Sequence, residues 1–512
     1  MVDSTSAAET RSFLFGAGST FITRAILLSI GFFATPLYIR YFGSDQYGVI
    51  LAITSLLMLT NLLSLGIPSA MSTIGAQVYT PAKVACLLRR VVWFYLLYLG
   101  SLLVLLLVFQ KNIISTIHQL FLPQTSLEGV YPALLWALIL LISNTFSALF
   151  LAAFPALHRV DLWNWFSLLL NFTPYLSLAF TVWLGIDLAG FYKVYLILST
   201  GFNAVMIAYY FVRWFRLNTN QVDLSEYRYS YRNIFATCLV AESIFVISFI
   251  LSQVDTLFIS RFMGGGPLVQ YSVIEKLINF EVAFASAVFP AVSPLFARWF
   301  AESNWKKLND NYHLLLNGMT IIGGAAIIGN LLWMKPVIAL WVGQDQFAGS
   351  GLVILASLYF YLMMGYSASF TVHSSFNVKR KISLAIGWVE PVLKTLLSFI
   401  LINRYGLTGA SLSRLLIAFL LTSWLNPVIL YYYSNRQVRL QFRFVFTHFI
   451  FTVAPLGLLA AFAGTQFSGF WLFLVGMGLL TIYLAGSIWL LKPAQRQPIL
   501  AFLHNLKQKR KI

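Results

Sequence analysis

"PLYIRYFGSDQYG", Pro36 to Gly48, is a short polar turn between two strongly apolar runs, and a related stretch, "TLFISRFMGGGPLVQYS", returns at Thr256 to Ser272. Aligning Arg40 with Arg261 sets an offset of 221 residues, which also carries Gly43 onto Gly264. The same offset carries Gly185 of "WLGIDLAGFYKVY" onto Gly406 of "NRYGLTGASLSRL". Two separate turns sharing one offset argue for an internal repeat. The turn residues also make local sense. Gly43 and Gly264 can end a helix in the left-handed region, Ser44 or Asp45 can cap the next helix, and Pro267 suits its first turn.

The runs around these turns define the class. Of 512 residues, 59% are hydrophobic and 10% charged, against about 25% charged in a soluble domain. Mean hydropathy is +0.80. The apolar runs are about twenty residues long, the length that crosses a bilayer. An all-α polytopic membrane protein is expected, with about fourteen spans centred near residues 29, 58, 103, 142, 177, 204, 247, 283, 322, 362, 393, 420, 456 and 478. The repeat divides them into an N-lobe of six spans (1–213), a cytoplasmic linker (214–234) and a C-lobe of six spans (235–434). Spans thirteen and fourteen (435–491) and a basic tail (492–512) follow. Parallel repeats are a transporter plan.

The first apolar run, Phe13 to about Ile39, is too long for a signal-peptide core and is read as a retained helix. Cys86 and Cys238 are isolated, which argues against a disulfide framework or thiolate metal site. The six histidines lie at no metal-ligand spacing and read as packing or interfacial residues.

Charge gives orientation. One set of loops holds 24 of the 34 basic residues, while the opposite loops hold five: Arg40, Lys111, Arg261, Lys335 and Arg404. The positive-inside rule then places both termini in the cytoplasm and makes the span count even. It also accounts for the net charge of +18 without nucleic acid as a partner. The five outer bases sit near the ends of outward-going helices, where a cation complements the helix dipole. Outer loops are short, and the outer acids Asp45, Glu128, Asp187 and Asp345 are dispersed. That leaves little room for outer-face chemistry. No glycine-lysine phosphate loop is present, which disfavours an ATPase.

An arginine in the first span, then "PLYIRYFGSDQYG", then an apolar span closing in "SLGIPSAM", resembles polysaccharide transporters of the Wzx type. These are flippases for lipid-linked oligosaccharides in the multidrug/oligosaccharidyl-lipid/polysaccharide exporter superfamily. The "YGLTGASLS" turn and the basic break "NVKRK" are similar to the family as well, and the likeness covers spans one to twelve. The extra pair of spans resembles the fourteen-span lipid II flippases. The resemblance implies two six-helix lobes around a cavity that opens alternately to either side. It implies translocation of an undecaprenyl-pyrophosphate-linked oligosaccharide to the outer leaflet, with no bond made or broken and hence no enzyme. The setting would be the bacterial cytoplasmic (inner) membrane, with a polysaccharide polymerase and chain-length proteins as partners.

Ionisable residues inside spans carry an independent argument, since each is costly unless paired or hydrated. They are Arg24, Glu242, Asp255, Glu275, Lys276, Glu281, Glu390, Lys394 and Arg414. Arginine stays charged and forks two hydrogen bonds to phosphate oxygens. Arg24 is therefore the first candidate for the pyrophosphate, with Lys276, Lys394 and Arg414 as further candidates. Asp255, Glu275, Glu281 and Glu390 are candidates to carry a coupling ion, proton or sodium, with no other cofactor expected. Structural alternatives stand beside each role. Arg24 can snorkel to the headgroups, Glu390 and Lys394 can pair at i,i+4, and the acids can neutralise nearby bases. A cation-coupled multidrug exporter on the same fold is the rival reading, and a membrane glycosyltransferase or polymerase lacks the carboxylates and long loops it would need.

Overall fold

The computed structural model describes residues 2–78, 81–215, 231–375, 387–439 and 443–491, together with 493 and 495. Most of the 214–234 linker, the "NVKRK" break and nearly all of the basic tail lie outside the described residues. Among those described there is no strand. The helices are α1 (Val2–Leu57), α2 (Thr60–Leu63), α3 (Ile67–Val78), α4 (Pro81–Val108), α5 (Gln110–Phe121), α6 (Leu127–Ala156), α7 (Val160–Leu184) and α8 (Leu188–Tyr210). They continue with α9 (Tyr231–Met263), α10 (Gly265–Ser286), α11 (Phe289–Ala301), α12 (Trp305–Trp341), α13 (Ser350–Ser374), α14 (Val389–Tyr405), α15 (Leu407–Ile417) and α16 (Ser423–Tyr433). The last are α17 (Arg443–His448), α18 (Ala454–Gln466) and α19 (Gly469–Leu490). π-helical turns at Ala418–Thr422 and Phe449–Val453 join α15 to α16 and α17 to α18.

Eleven segments among the described residues are long and apolar enough to cross a membrane. The expected fourteen is not reached by this criterion, for identifiable reasons. The runs centred at residues 29 and 58 fall in one segment, Ala25–Leu63, bent at Gly43. The run at 283 is α10, which carries Glu275, Lys276 and Glu281. The run at 393 is α14, only 17 residues long with Glu390, Lys394 and Arg404.

The four glycines at the repeated turns all adopt backbone angles that favour glycine. Gly43, Gly264, Gly185 and Gly406 all have positive φ, at 75°, 87°, 65° and 61°. Gly43 combines its φ with a ψ of 168°, a region open essentially to glycine alone. Asp45 caps across the repeat: its Oδ1 accepts the N–H of Gly266 at 3.1 Å, exactly one repeat offset away in sequence. The two turns touch backbone to backbone, because a Cβ on Gly48 would overlap Gly265 and a Cβ on Gly265 would overlap Asp45. Arg261 is a helix-end cation, as expected, but for a neighbouring helix. Its Nη1 donates to the carbonyls of Leu120 at 2.7 Å and Gln119 at 3.3 Å, in the last turn of α5.

The described chain forms two compact units, Met1–Val269 and Gln270–Ile512. This division falls one helix beyond the linker at which the repeat divides the sequence, since α9 packs against α1, α3 and α5. In hydrocarbon, helices gain little from apolar burial alone, and close packing and polar links do more of the work. In the first unit, Phe150, Phe154, Tyr210 and Trp214 form an aromatic core. There, Asn144 Oδ1 accepts from Ser199 at 2.8 Å and Asn203 at 3.2 Å, fastening α6 to α8. In the second unit, fully buried His448 fastens α17–α19 to α12 and α13. Its ring bonds Ser487 Oγ at 2.9 Å and Tyr483 Oη at 3.1 Å, and Tyr483 Oη donates to the carbonyl of Ile321 at 2.7 Å. Tyr361 Oη donates to the carbonyl of Val445 at 3.0 Å and lies 3.3 Å from His448 Nδ1.

The turn geometry separates backbone strain from crowding. A Cβ at Gly43 meets nothing within 4 Å, so Gly43→Ala tests φ alone. It should cost roughly 1–3 kcal/mol, whereas Gly100→Ala, equally open but at ordinary helical φ, should cost nothing measurable. Thermal unfolding of the two variants in detergent checks this.

Candidate functional site

Four of the eight candidate site residues come together in the second unit. The local cause begins with small residues. Gly409, Ala410 and Ser413 are buried on one face of α15, and Gly409 lies so close to the Leu401 carbonyl that a Cβ has no room. Ser413 Oγ bonds Ser398 Oγ at 2.9 Å, locking α15 onto α14. Arg414, the next residue, then meets α10, where Tyr271 and Glu275 share a face at i,i+4 spacing. Arg414 Nη1 donates to Glu275 Oε2, and its guanidinium lies 5.5 Å from the centroid of the Tyr271 ring. Only 13% of the arginine side chain and 16% of the glutamate side chain are exposed, so the pair is largely desolvated.

Around this pair stands a second, looser one. Glu390 Oε1 accepts from Thr422 Oγ1 at 3.1 Å, and Thr422 sits at the end of the π-turn that follows α15. Lys394, one turn along α14, is buried at 3% exposure and its charge acts on Glu390. On α13, the hydroxyls of Tyr359 and Tyr366 bond each other and lie in the field of Arg414 and Glu390. Glu275, Glu390, Lys394 and Arg414 carry two charges of each sign, so the cluster is balanced rather than purely cationic. Lys276 lies partly buried beside Glu275 on α10.

Tyr366 has a second neighbour, an apolar cavity of about 410 Å³ within the second unit. Its walls include Leu362 of α13, Phe419 of the π-turn, Trp424 of α16, Phe446 of α17 and Phe449. One tyrosine therefore borders both the charged cluster and the apolar space. The combination suits a molecule with an anionic group next to a hydrocarbon chain.

The other candidates are placed apart from this cluster. Glu281 on α10 accepts from Asn330 Nδ2 at 3.2 Å, and the same nitrogen donates to Ser357 Oγ at 3.1 Å. Asp255 is fully buried on α9 in the first unit. The side chain of Arg24, the first candidate for a pyrophosphate, lies outside the described residues. Glu242 lies beside Gly66 at the N-terminal end of α3, where a carboxylate complements the helix dipole. The tyrosines at 271, 359 and 366 and Asn330 were not singled out from sequence. The i,i+4 spacing of Tyr271 and Glu275 and the two-turn spacing of Tyr359 and Tyr366 are the signals that could have found them.

No protein-family model matches the chain. In sequence it is similar to a "Putative O-antigen transporter" of Shigella flexneri, with 27% identity over 249 residues, 45% of this chain and 55% of that protein. The chain thus matches about half the length of that curated relative. In structure it is similar to "Lipid II flippase MurJ, inward closed conformation", with a TM-score of 0.68, 16% identity, and coverage of 92% of this chain and 98% of the other. It is also similar to an inward-facing multidrug resistance MATE family transporter of the MOP superfamily, with a TM-score of 0.62, 12% identity and coverage of 80% and 95%. The fold is that of MurJ and the MATE transporters, and the resemblance to Wzx-type transporters is supported by the O-antigen relative. The named relatives are transporters and flippases, not enzymes.

The Arg414–Glu275 pair makes a stability prediction. Breaking a buried ion pair by removing one partner costs about 3–5 kcal/mol, whereas replacing both with apolar residues is often neutral. Arg414→Met alone should lower the unfolding temperature markedly, and Arg414→Met combined with Glu275→Leu should recover most of the loss. Thermal unfolding in the same detergent checks both.

Proposed function

We propose that this chain is a flippase that moves an undecaprenyl-pyrophosphate-linked oligosaccharide from the cytoplasmic to the outer leaflet by alternating access, for a cell-surface polysaccharide. The observation that carries this reading is the buried Arg414 and Lys394 cluster bordering an apolar cavity through Tyr366. A pyrophosphate linked to an isoprenoid chain has the two chemistries that such a site accommodates. Arginine offers a planar fork to phosphate oxygens, and lysine adds a compact charge. The O-antigen transporter relative supports the same cargo class. On this reading Arg24 remains the sequence's own candidate for the pyrophosphate. The protein works in the bacterial cytoplasmic membrane with both termini cytoplasmic, and its product passes to a polysaccharide polymerase and chain-length proteins.

A second reading has its own observation. The MurJ likeness extends over 92% of the chain, so it takes in helices beyond the twelve spans of the repeat. A lipid II flippase would use the same groups, because lipid II also joins a pyrophosphate to an isoprenoid and a glycan. A multidrug exporter is favoured by the MATE likeness alone.

Reconstituted proteoliposomes separate the two flippase readings from the exporter. A polyprenyl-pyrophosphate oligosaccharide loaded on one leaflet should become accessible to an impermeant reagent on the other. Arg414→Lys, which keeps the charge and loses the fork, should slow this about tenfold, equivalent to ~1.4 kcal/mol. Transport of a cationic dye in place of the oligosaccharide would instead favour the exporter.

A further inference from the structure

Glu281 stands out among the acids of the second unit because it has a neutral partner only. Glu275 is held by Arg414, and Glu390 has Thr422 and the charge of Lys394. Among the described residues, Glu281 receives one hydrogen bond, from the amide of Asn330, and makes no ion pair. Asn330 is 6% exposed and Ser357, which shares the amide, is fully buried. On α10 the glutamate is flanked by Phe280 and Phe284, whose exposed rings pair at 5.0 Å. Glu281 itself is half-buried, and a carboxylate charge with one neutral donor and no counter-ion is costly away from water.

The ionisable groups on the neighbouring elements do not supply the missing charge. On α10, Lys276 makes no pair with Glu281, and on α12 neither does Lys335. On α13, the hydroxyl of Tyr359 is bonded to Tyr366 and that of Tyr361 to the Val445 carbonyl. Arg414 of α15 is committed to Glu275, and Asp345 lies by Gln270 at the far end of α10, its carbonyl accepting from that side chain.

We propose that Glu281, Asn330 and Ser357 form a proton-binding site in the second unit, with Glu281 carrying the proton as a neutral carboxylic acid. A proton fits this arrangement better than sodium. An alkali cation needs several oxygen ligands, and Asn330 turns its N–H toward the carboxylate. The amide thus stabilises the acid's second oxygen, Oε2, and leaves the other to hold the proton. Release of that proton leaves a charge that the site as built does not balance, so the site loads and unloads only when water or a new partner reaches it. This does not depend on which cargo is carried.

The test uses the purified full chain in liposomes and a hydrophobic carbodiimide, which adds to protonated carboxyl groups in apolar surroundings. Digestion and mass spectrometry locate the adduct. The expected result is an adduct on Glu281 that falls by up to about tenfold per pH unit on the alkaline side. It should be absent from Glu281→Gln, whose amide keeps an acceptor for Asn330, and unchanged when sodium replaces choline at fixed pH. Localisation in the unmodified chain stands alone should that variant fail to fold. No adduct on Glu281 at any pH, or an adduct insensitive to pH, would overturn the proposal. Suppression by sodium would also overturn it, showing a metal cation at the site.

Discussion

Hydrocarbon solvates neither a charge nor an unpaired backbone group, and the arrangement of this chain follows from that constraint. Arg414 reaches across 139 residues of sequence to Glu275 because neither ion can stand alone at that depth. Arg261 spends its charge on the last carbonyls of α5. Glu242 lies at the start of α3, and Glu390 takes a hydroxyl from a π-turn. Where backbones must approach, side chains are absent, as where Gly48 meets Gly265.

The same constraint bears on the proposed transport. A cargo anion that reaches Arg414 must compete with Glu275, and a displaced Glu275 needs a new partner or a proton. Binding of the proposed cargo and movement of charge are therefore linked at one guanidinium. The apolar cavity beside Tyr366 makes no such demand, since a hydrocarbon chain can leave it without exposing a charge.

The fold was legible in the sequence where the signal is local or repeated. Hydropathy located the helices, and the shared offset picked out Gly43, Gly264, Gly185 and Gly406, each of which has the positive φ that only glycine adopts readily. The span count was less legible, because α10 carries three charged residues and α14 is 17 residues long with three of its own, so both fall outside a purely apolar criterion. Glu390 and Lys394 were readable as neighbours, being one helical turn apart. The Arg414–Glu275 pair was not, because nothing in one sequence ties residue 414 to residue 275. Asp45 was read as a cap for its own helix, and it serves the repeat-related turn instead. Local capping rules cannot see a partner brought in by tertiary contact.

On the proposed function, the second unit holds a lipid chain and its anionic group side by side, meeting at Tyr366. The most direct measurement is photocrosslinking in proteoliposomes with a polyprenyl-pyrophosphate oligosaccharide carrying a photoreactive group in its isoprenoid chain. Adducts are expected on cavity residues such as Phe419, Trp424 and Phe446, reduced by excess unlabelled polyprenyl-pyrophosphate oligosaccharide. Adducts confined to other helices, or cavity adducts that the excess does not reduce, would contradict it.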